Sequence, residues 1–333
     1  MATGVAGAVG APVISQKFLG WRMVGIAAMA QFLGSAITLS PFGNFVLPVS
    51  ETFGVAQGTV GLGIPIAILM MGLLGPFIGR MLDHGRARSL MSGGALVAGL
   101  GLILLAQTRT IGQAAWVFGG LVCAGTACFG MMSAMALVAS WFVKRRGLAL
   151  GLAVGGATIA SYLAPVTAEY LIEETGWRTA VSAFGLLTLA VGVPILAWLT
   201  VGRPEDVGQL PDGEPAVESA GGDPLAGAVM LETRVLARDA RLWLVAIGFG
   251  LILTSPIVLI GLLVPFGKTA LGLTGQQANL FFAAMVPFSL LGKLAIGALA
   301  DAIPPKPAIC FVVIVNVIVW AIFLTGPSHA LFV

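Results

Sequence analysis

The run VPFSLLGKLAIGALAD, residues 286–301, reads as a membrane-spanning helix with a charge in it. Lys293 sits well inside the apolar stretch, and an ammonium at the bilayer centre costs roughly 2.5–3.5 kcal/mol on insertion scales. No acid lies one helical turn away to offset it, since Asp301 comes two turns later. On its own face lie Ser289, Ile296 and Gly297, with Gly292 beside it. Mostly small neighbours suit a helix that faces protein or a water-filled chamber, where a negatively charged solute would supply the absent counter-charge. The other reading is a lysine that snorkels to the nearer interface. Helical side chains tilt toward their own N-terminus, however, which here points the ammonium back toward the midplane.

Other polar side chains within apolar runs can hydrogen-bond a solute or a neighbouring helix. They are Gln31, Thr38 and Asn44 in the first run, Tyr162 in the fifth and Thr254 in the seventh. A second group could control access. Asp83 follows Gly79 at the end of the second run, with Arg86 and Arg88 just beyond, and Arg145 and Arg146 stand before the fifth. A carboxylate and a guanidinium across one mouth can pair in one state and separate in another. The simpler reading of the arginines is topological anchoring. Gly147, Gly151 and Gly155 recur every four residues on one helix face, which lets two backbones approach closely, either as static packing or as a contact between moving helices.

Several chemistries are excluded. No H-E-x-x-H, paired-acid or Ser–His–Asp pattern is present, and no G-x-x-x-x-G-K-[ST] loop for a nucleotide. The two histidines, His84 and His329, lie far apart, and the three cysteines all fall in apolar runs, where they read as packing residues. We expect no enzyme, no metal and no cofactor. The basic residues lack aromatic interleaving, so nucleic acid is not an expected partner.

The chain of 333 residues is 58% hydrophobic and 9% charged, with a mean hydropathy of +1.01. A soluble domain carries about 25% charged residues, so this is an integral membrane protein and its units are spanning helices of about 20 residues. Nine apolar runs stand out, at 23–48, 59–79, 89–108, 113–140, 147–172, 179–201, 242–267, 278–299 and 308–326. The expected fold is all-α. A tail (1–22) precedes a bundle of six helices (23–201); a Pro-, Gly- and acid-rich linker (202–241) leads to three helices of a second bundle (242–333). Thirteen of the 17 Lys and Arg residues fall on the side of the N-terminus, three on the other and Lys293 within a span. That bias places the N-terminus in the cytoplasm.

The second run ends in GRMLD, Gly79 to Asp83, and the eighth in GALAD, Gly297 to Asp301. This echo supports parallel repeats of six helices. Two such repeats would give twelve helices where nine are found, so we expect a fragment or a truncated chain.

Two stretches carry a family resemblance. GRMLDHGRAR, residues 79–88, resembles the loop signature between the second and third helices of the major facilitator superfamily, with His84 where that signature has Arg. WFVKRRGLALGLAVGGATIASYLAPVTAEYLIEETGWRTA, residues 141–180, resembles the monocarboxylate and oxalate/formate branch, through Trp141, Arg145, Arg146, Gly147, Gly151, Pro165, Gly176, Trp177 and Arg178. GWR at 20–22 and SPFGNFVLPVSETFG at 40–54 also resemble this branch, and RPEDVGQLPDG at 203–213 is similar to its bacterial members. The resemblance implies a secondary transporter of small organic anions, working by alternating access in a bacterial inner membrane, with a coupling ion or an exchanged anion as second partner. It also implies that Lys293, four residues before Gly297, occupies the place of a basic residue that binds the substrate carboxylate. Proton-coupled members carry Asp where Ser289 stands and a lysine late in the first helix, which this chain lacks; their proton mechanism is not expected here. The rival readings are a non-transporting or inactive carrier-like protein, and a superfamily transporter of another small solute.

Overall fold

A computed structural model describes residues 18–213, 239–240, 242–248, 250, 287–297 and 305–324. The described residues hold helices and no strand. Six helices are long and apolar enough to cross a membrane: α1 (Gly20–Phe53), α2 (Gln57–Asp83), α3 (Ala87–Ala106), α4 (Ile111–Trp141), α5 (Arg146–Thr175) and α6 (Trp177–Trp198). They match the first six apolar runs within a few residues. Three further helical stretches follow, α7 (242–248), α8 (Pro287–Gly297) and α9 (Pro305–Leu324).

Local chemistry sets the interruptions. Helix α1 breaks at residues 38–41, where Pro41 has no N–H to continue the ladder. The Thr38 hydroxyl turns back to the Gly34 carbonyl at 2.6 Å. Helix α4 starts on a reciprocal cap: Thr110 Oγ1 accepts from the Gln113 amide, and Gln113 Oε1 accepts from the Arg109 amide. Wide π turns interrupt α4 at Phe118–Cys123 and α6 at Thr188–Gly192, features the apolar pattern does not announce. A single residue joins α5 to α6: Gly176 at φ +82°, a conformation a side chain would oppose.

Helix α1 lies at the centre, against α4 and α5, with Met23, Ala27, Ala30 and Leu33 in the core. Ala98, Ala134 and Ala153 bring α3, α4 and α5 to the same core. Lipid offers no hydrophobic drive for helix association, so close backbone approach has to supply it. The tightest approach is Gly156 of α5 on Ala28 of α1, where any Cβ would overlap the Ala28 carbonyl oxygen. That backbone cannot swing aside. Gly156→Ala should therefore cost about 1–3 kcal/mol or more in stability, seen as an earlier thermal transition in detergent. Gly25→Ala, whose Cβ would meet nothing within 4 Å, should leave the transition in place.

The start of the stretch expected as a linker is folded. Residues 202–213 pack under the basic end of the bundle rather than leaving it. Trp141 Nε1 donates to the Val201 carbonyl, and Ser140 to that of Gly202. Asp212 Oδ2 accepts from the Val143 and Lys144 amides in the turn between α4 and α5. Gln209 Oε1 accepts from the Leu19 amide. Asp206 and Asp212, which read as linker composition, accept from backbone amides.

Candidate functional site

Helix α8 packs antiparallel along the glycine face of α5. A Cβ on Gly297 would stand 2.6 Å from the Gly147 carbonyl oxygen, and one on Gly151 2.9 Å from that of Lys293. A Cβ on Gly155 would meet Leu290 at 3.1 Å. The pairs 147/297, 151/293 and 155/290 keep one register. The stripe thus has an identified partner, and that partner carries the lysine.

Lys293 does lean back along its own helix. Its Nζ donates to Thr158 Oγ1 at 2.5 Å. Thr158 lies nearly two turns beyond Gly151, the residue level with the lysine backbone. Among the described residues no acid pairs with Lys293. The ammonium is half-buried and spans the gap from α8 to α5. Tyr162, one turn beyond Thr158, is 45% exposed, so this face of α5 opens just past the contact.

Helix α1 reaches the same level. It runs parallel to α5 in fixed register, with Ala28 on Gly156 and Ala36 and Phe32 on Ala160 and Ala164. That register sets Gln31 level with residue 159. Gln31 is 4% exposed, and its Nε2 has no hydrogen-bond partner among the described residues. An unmade donor bond in such a place costs about 1–3 kcal/mol.

The remaining polar candidates lie apart. Thr38 spends its hydroxyl on the helix backbone and borders an apolar cavity away from Lys293. Asn44 donates to Glu169 at 3.2 Å in an exposed bond between α1 and α5. Ser289 is exposed on α8. Thr254 and Asp301 lie outside the described residues. A cavity of about 340 Å³ is lined by Phe42, Phe45, Leu102, Phe118, Trp177 and Phe184 among others, with no charged residue and none from α5 or α8. It suits no anion.

The basic loop is built on helix ends. Arg203 Nη2 donates to the Asp83 carbonyl at the end of α2, and its guanidinium lies over Gly85, which has φ +72°. Arg88 Nε donates to the Ala197 carbonyl at the end of α6. Cations on terminal carbonyls complement the helix dipole. Arg86, Arg145 and Arg146 are exposed, and a Cβ on Gly79 would meet nothing within 4 Å. The expected pairing of Asp83 with Arg145 or Arg146 is not made: among the described residues the Asp83 carboxylate has no ion pair. Among the described residues, the glycine contact between α5 and α8 also lies at this end.

Thr158 escaped the reading of the sequence. A threonine in an apolar helix ordinarily bonds its own backbone four residues back, and this one does so too, to Val154 at 3.5 Å. The available signal was the stripe, since Gly147, Gly151 and Gly155 continue on one face to Thr158 and Tyr162.

Six apolar helices around small-residue contacts, with a cation held between helices, define a multi-pass helical membrane protein. The family model of the Major Facilitator Superfamily matches residues 24–333, and the chain belongs to that superfamily. The chain is 26% identical over 276 residues to the MFS-type transporter pynF of Aspergillus niger, covering 79% of this chain and 57% of that protein. It is 32% identical over 130 residues to the fujikurins efflux protein of Gibberella fujikuroi, covering 38% and 27%. It is also 32% identical over 155 residues to human monocarboxylate transporter 14, covering 45% and 30%. The matched stretches span less than two thirds of each relative's length.

Proposed function

We propose that this transporter carries small organic anions, monocarboxylates first, by alternating access between two helix bundles. One observation carries the reading: Lys293 directs its ammonium from α8 onto the face of α5, and no acid among the described residues neutralises it. A cation so placed would attract a carboxylate strongly, because a charge-assisted bond is about twice as strong as a neutral one. Neutral cargo would leave the ammonium's insertion cost uncompensated. The resemblance to monocarboxylate carriers over α4 to α6, and the partial identity to proteins named as such, support the same class. On this reading the glycine contact between α5 and α8 closes the basic end, which faces the cytoplasm of a bacterial cell by the charge bias. A coupling ion or an exchanged anion would supply the driving force.

The test is competition in proteoliposomes of the full-length protein. Unlabelled pyruvate should inhibit uptake of radiolabelled pyruvate, and pyruvamide, its uncharged amide, should not. Equal inhibition by both would overturn the anion reading.

The salt bridge from Asp83 to Arg145 or Arg146 belongs, on this account, to a conformation other than the one described. Asp83→Arg should reduce uptake at least tenfold, and adding Arg145→Asp should restore part of it. Full uptake by Asp83→Arg alone would remove the pair from the cycle.

A further inference from the structure

Thr158 is the hydrogen-bond acceptor that the Lys293 ammonium meets on α5. Its Oγ1 accepts from the ammonium at 2.5 Å and the residue is 5% exposed. Its own proton is directed at the Val154 carbonyl 3.5 Å away, at the far limit of a hydrogen bond. The hydroxyl thus accepts from the ammonium while its own proton makes only a long bond. Turning that proton requires rotation about the Cβ–Oγ bond alone, with no heavy atom displaced.

A carboxylate has two oxygens that only accept, whereas an ammonium only donates. With one oxygen on Lys293 Nζ, the other would face a hydroxyl whose proton is nearly free. We infer that Thr158 is a second ligand of the transported anion: empty, it accepts from Lys293; loaded, it donates to the carboxylate. The anion then bridges α5 and α8, replacing one cross-helix hydrogen bond by two charge-assisted ones. This rests on the anion reading above and adds a selectivity to it. Two ligands from two helices favour an anion with two separated acceptor atoms over a spherical one such as chloride.

The experiment measures pyruvate uptake and its inhibition by chloride for Thr158→Val, Thr158→Ser and Lys293→Gln in the full-length protein. Thr158→Val keeps the volume and loses the hydroxyl. It should raise the half-saturating pyruvate concentration about tenfold, the effect of losing one hydrogen bond to a charged group, with the maximal rate little changed and chloride inhibition unaltered. Thr158→Ser should behave as the parent. If Thr158→Val does not yield folded protein, Thr158→Cys keeps the size with a much poorer donor and must show the same loss. Parental pyruvate affinity in the hydroxyl-free variant, with uptake abolished by Lys293→Gln, would overturn the role of Thr158 and leave the lysine site standing. Parental uptake in Lys293→Gln would overturn both.

Discussion

Lys293→Gln should lower the uptake of radiolabelled pyruvate by about a hundredfold. Truncating one partner of a close charge pair costs about 2–5 kcal/mol, and each 1.4 kcal/mol is tenfold. Glutamine keeps much of the side chain's length and can still donate to Thr158, so the contact between α8 and α5 survives and the loss reports charge. Lys293→Arg should recover a large part of the activity, because a guanidinium also binds a carboxylate. An unshifted thermal transition in Lys293→Gln would show that the fold is intact. Uptake within twofold of the parent would mean that the ammonium does not serve the cargo.

The second large effect is expected at Gly297. A Cβ there would stand 2.6 Å from the Gly147 carbonyl oxygen, so the two backbones must separate. Overpacking of that kind costs about 1–3 kcal/mol, a roughly 5- to 150-fold shift between packed and separated states. Gly297→Ala should slow pyruvate turnover by a factor in that range while pyruvate binding in detergent persists, since the ammonium itself is untouched. Gly292→Ala lies on the same helix, and its Cβ would meet nothing within 4 Å. It should transport at the parental rate. Equal behaviour of the two variants would show that the glycine contact is inert packing.

Much of this was legible in the sequence, and the physical reasons differ from part to part. Membrane spans announce themselves because the bilayer demands long apolar runs, and all six runs before residue 202 became helices. The lean of Lys293 followed from the direction of the Cα–Cβ bond alone. Which helix it meets did not follow. Helices α1 and α5 are apolar around most of their circumference, so the pattern does not distinguish a lipid face from a protein face. The glycine stripe indicated a close neighbour without saying that α8 is that neighbour. Residues 202–213 read as linker because proline, glycine and acids also mark loops. Asp206 and Asp212 instead accept from backbone amides of Arg203, Val143 and Lys144. The π turns of α4 and α6 left no trace in the apolar pattern.

The most direct test of the account is aqueous access to position 293. Lys293→Cys would be introduced into full-length protein with Cys123, Cys128 and Cys310 replaced by serine or alanine, then treated with a charged, membrane-impermeant thiol reagent. The account predicts labelling from the water phase, faster for an anionic reagent once a neighbouring cation is restored by Thr158→Lys. A thiol that reacts solely with lipid-soluble reagents would contradict it, because no solute could then reach the lysine by way of water.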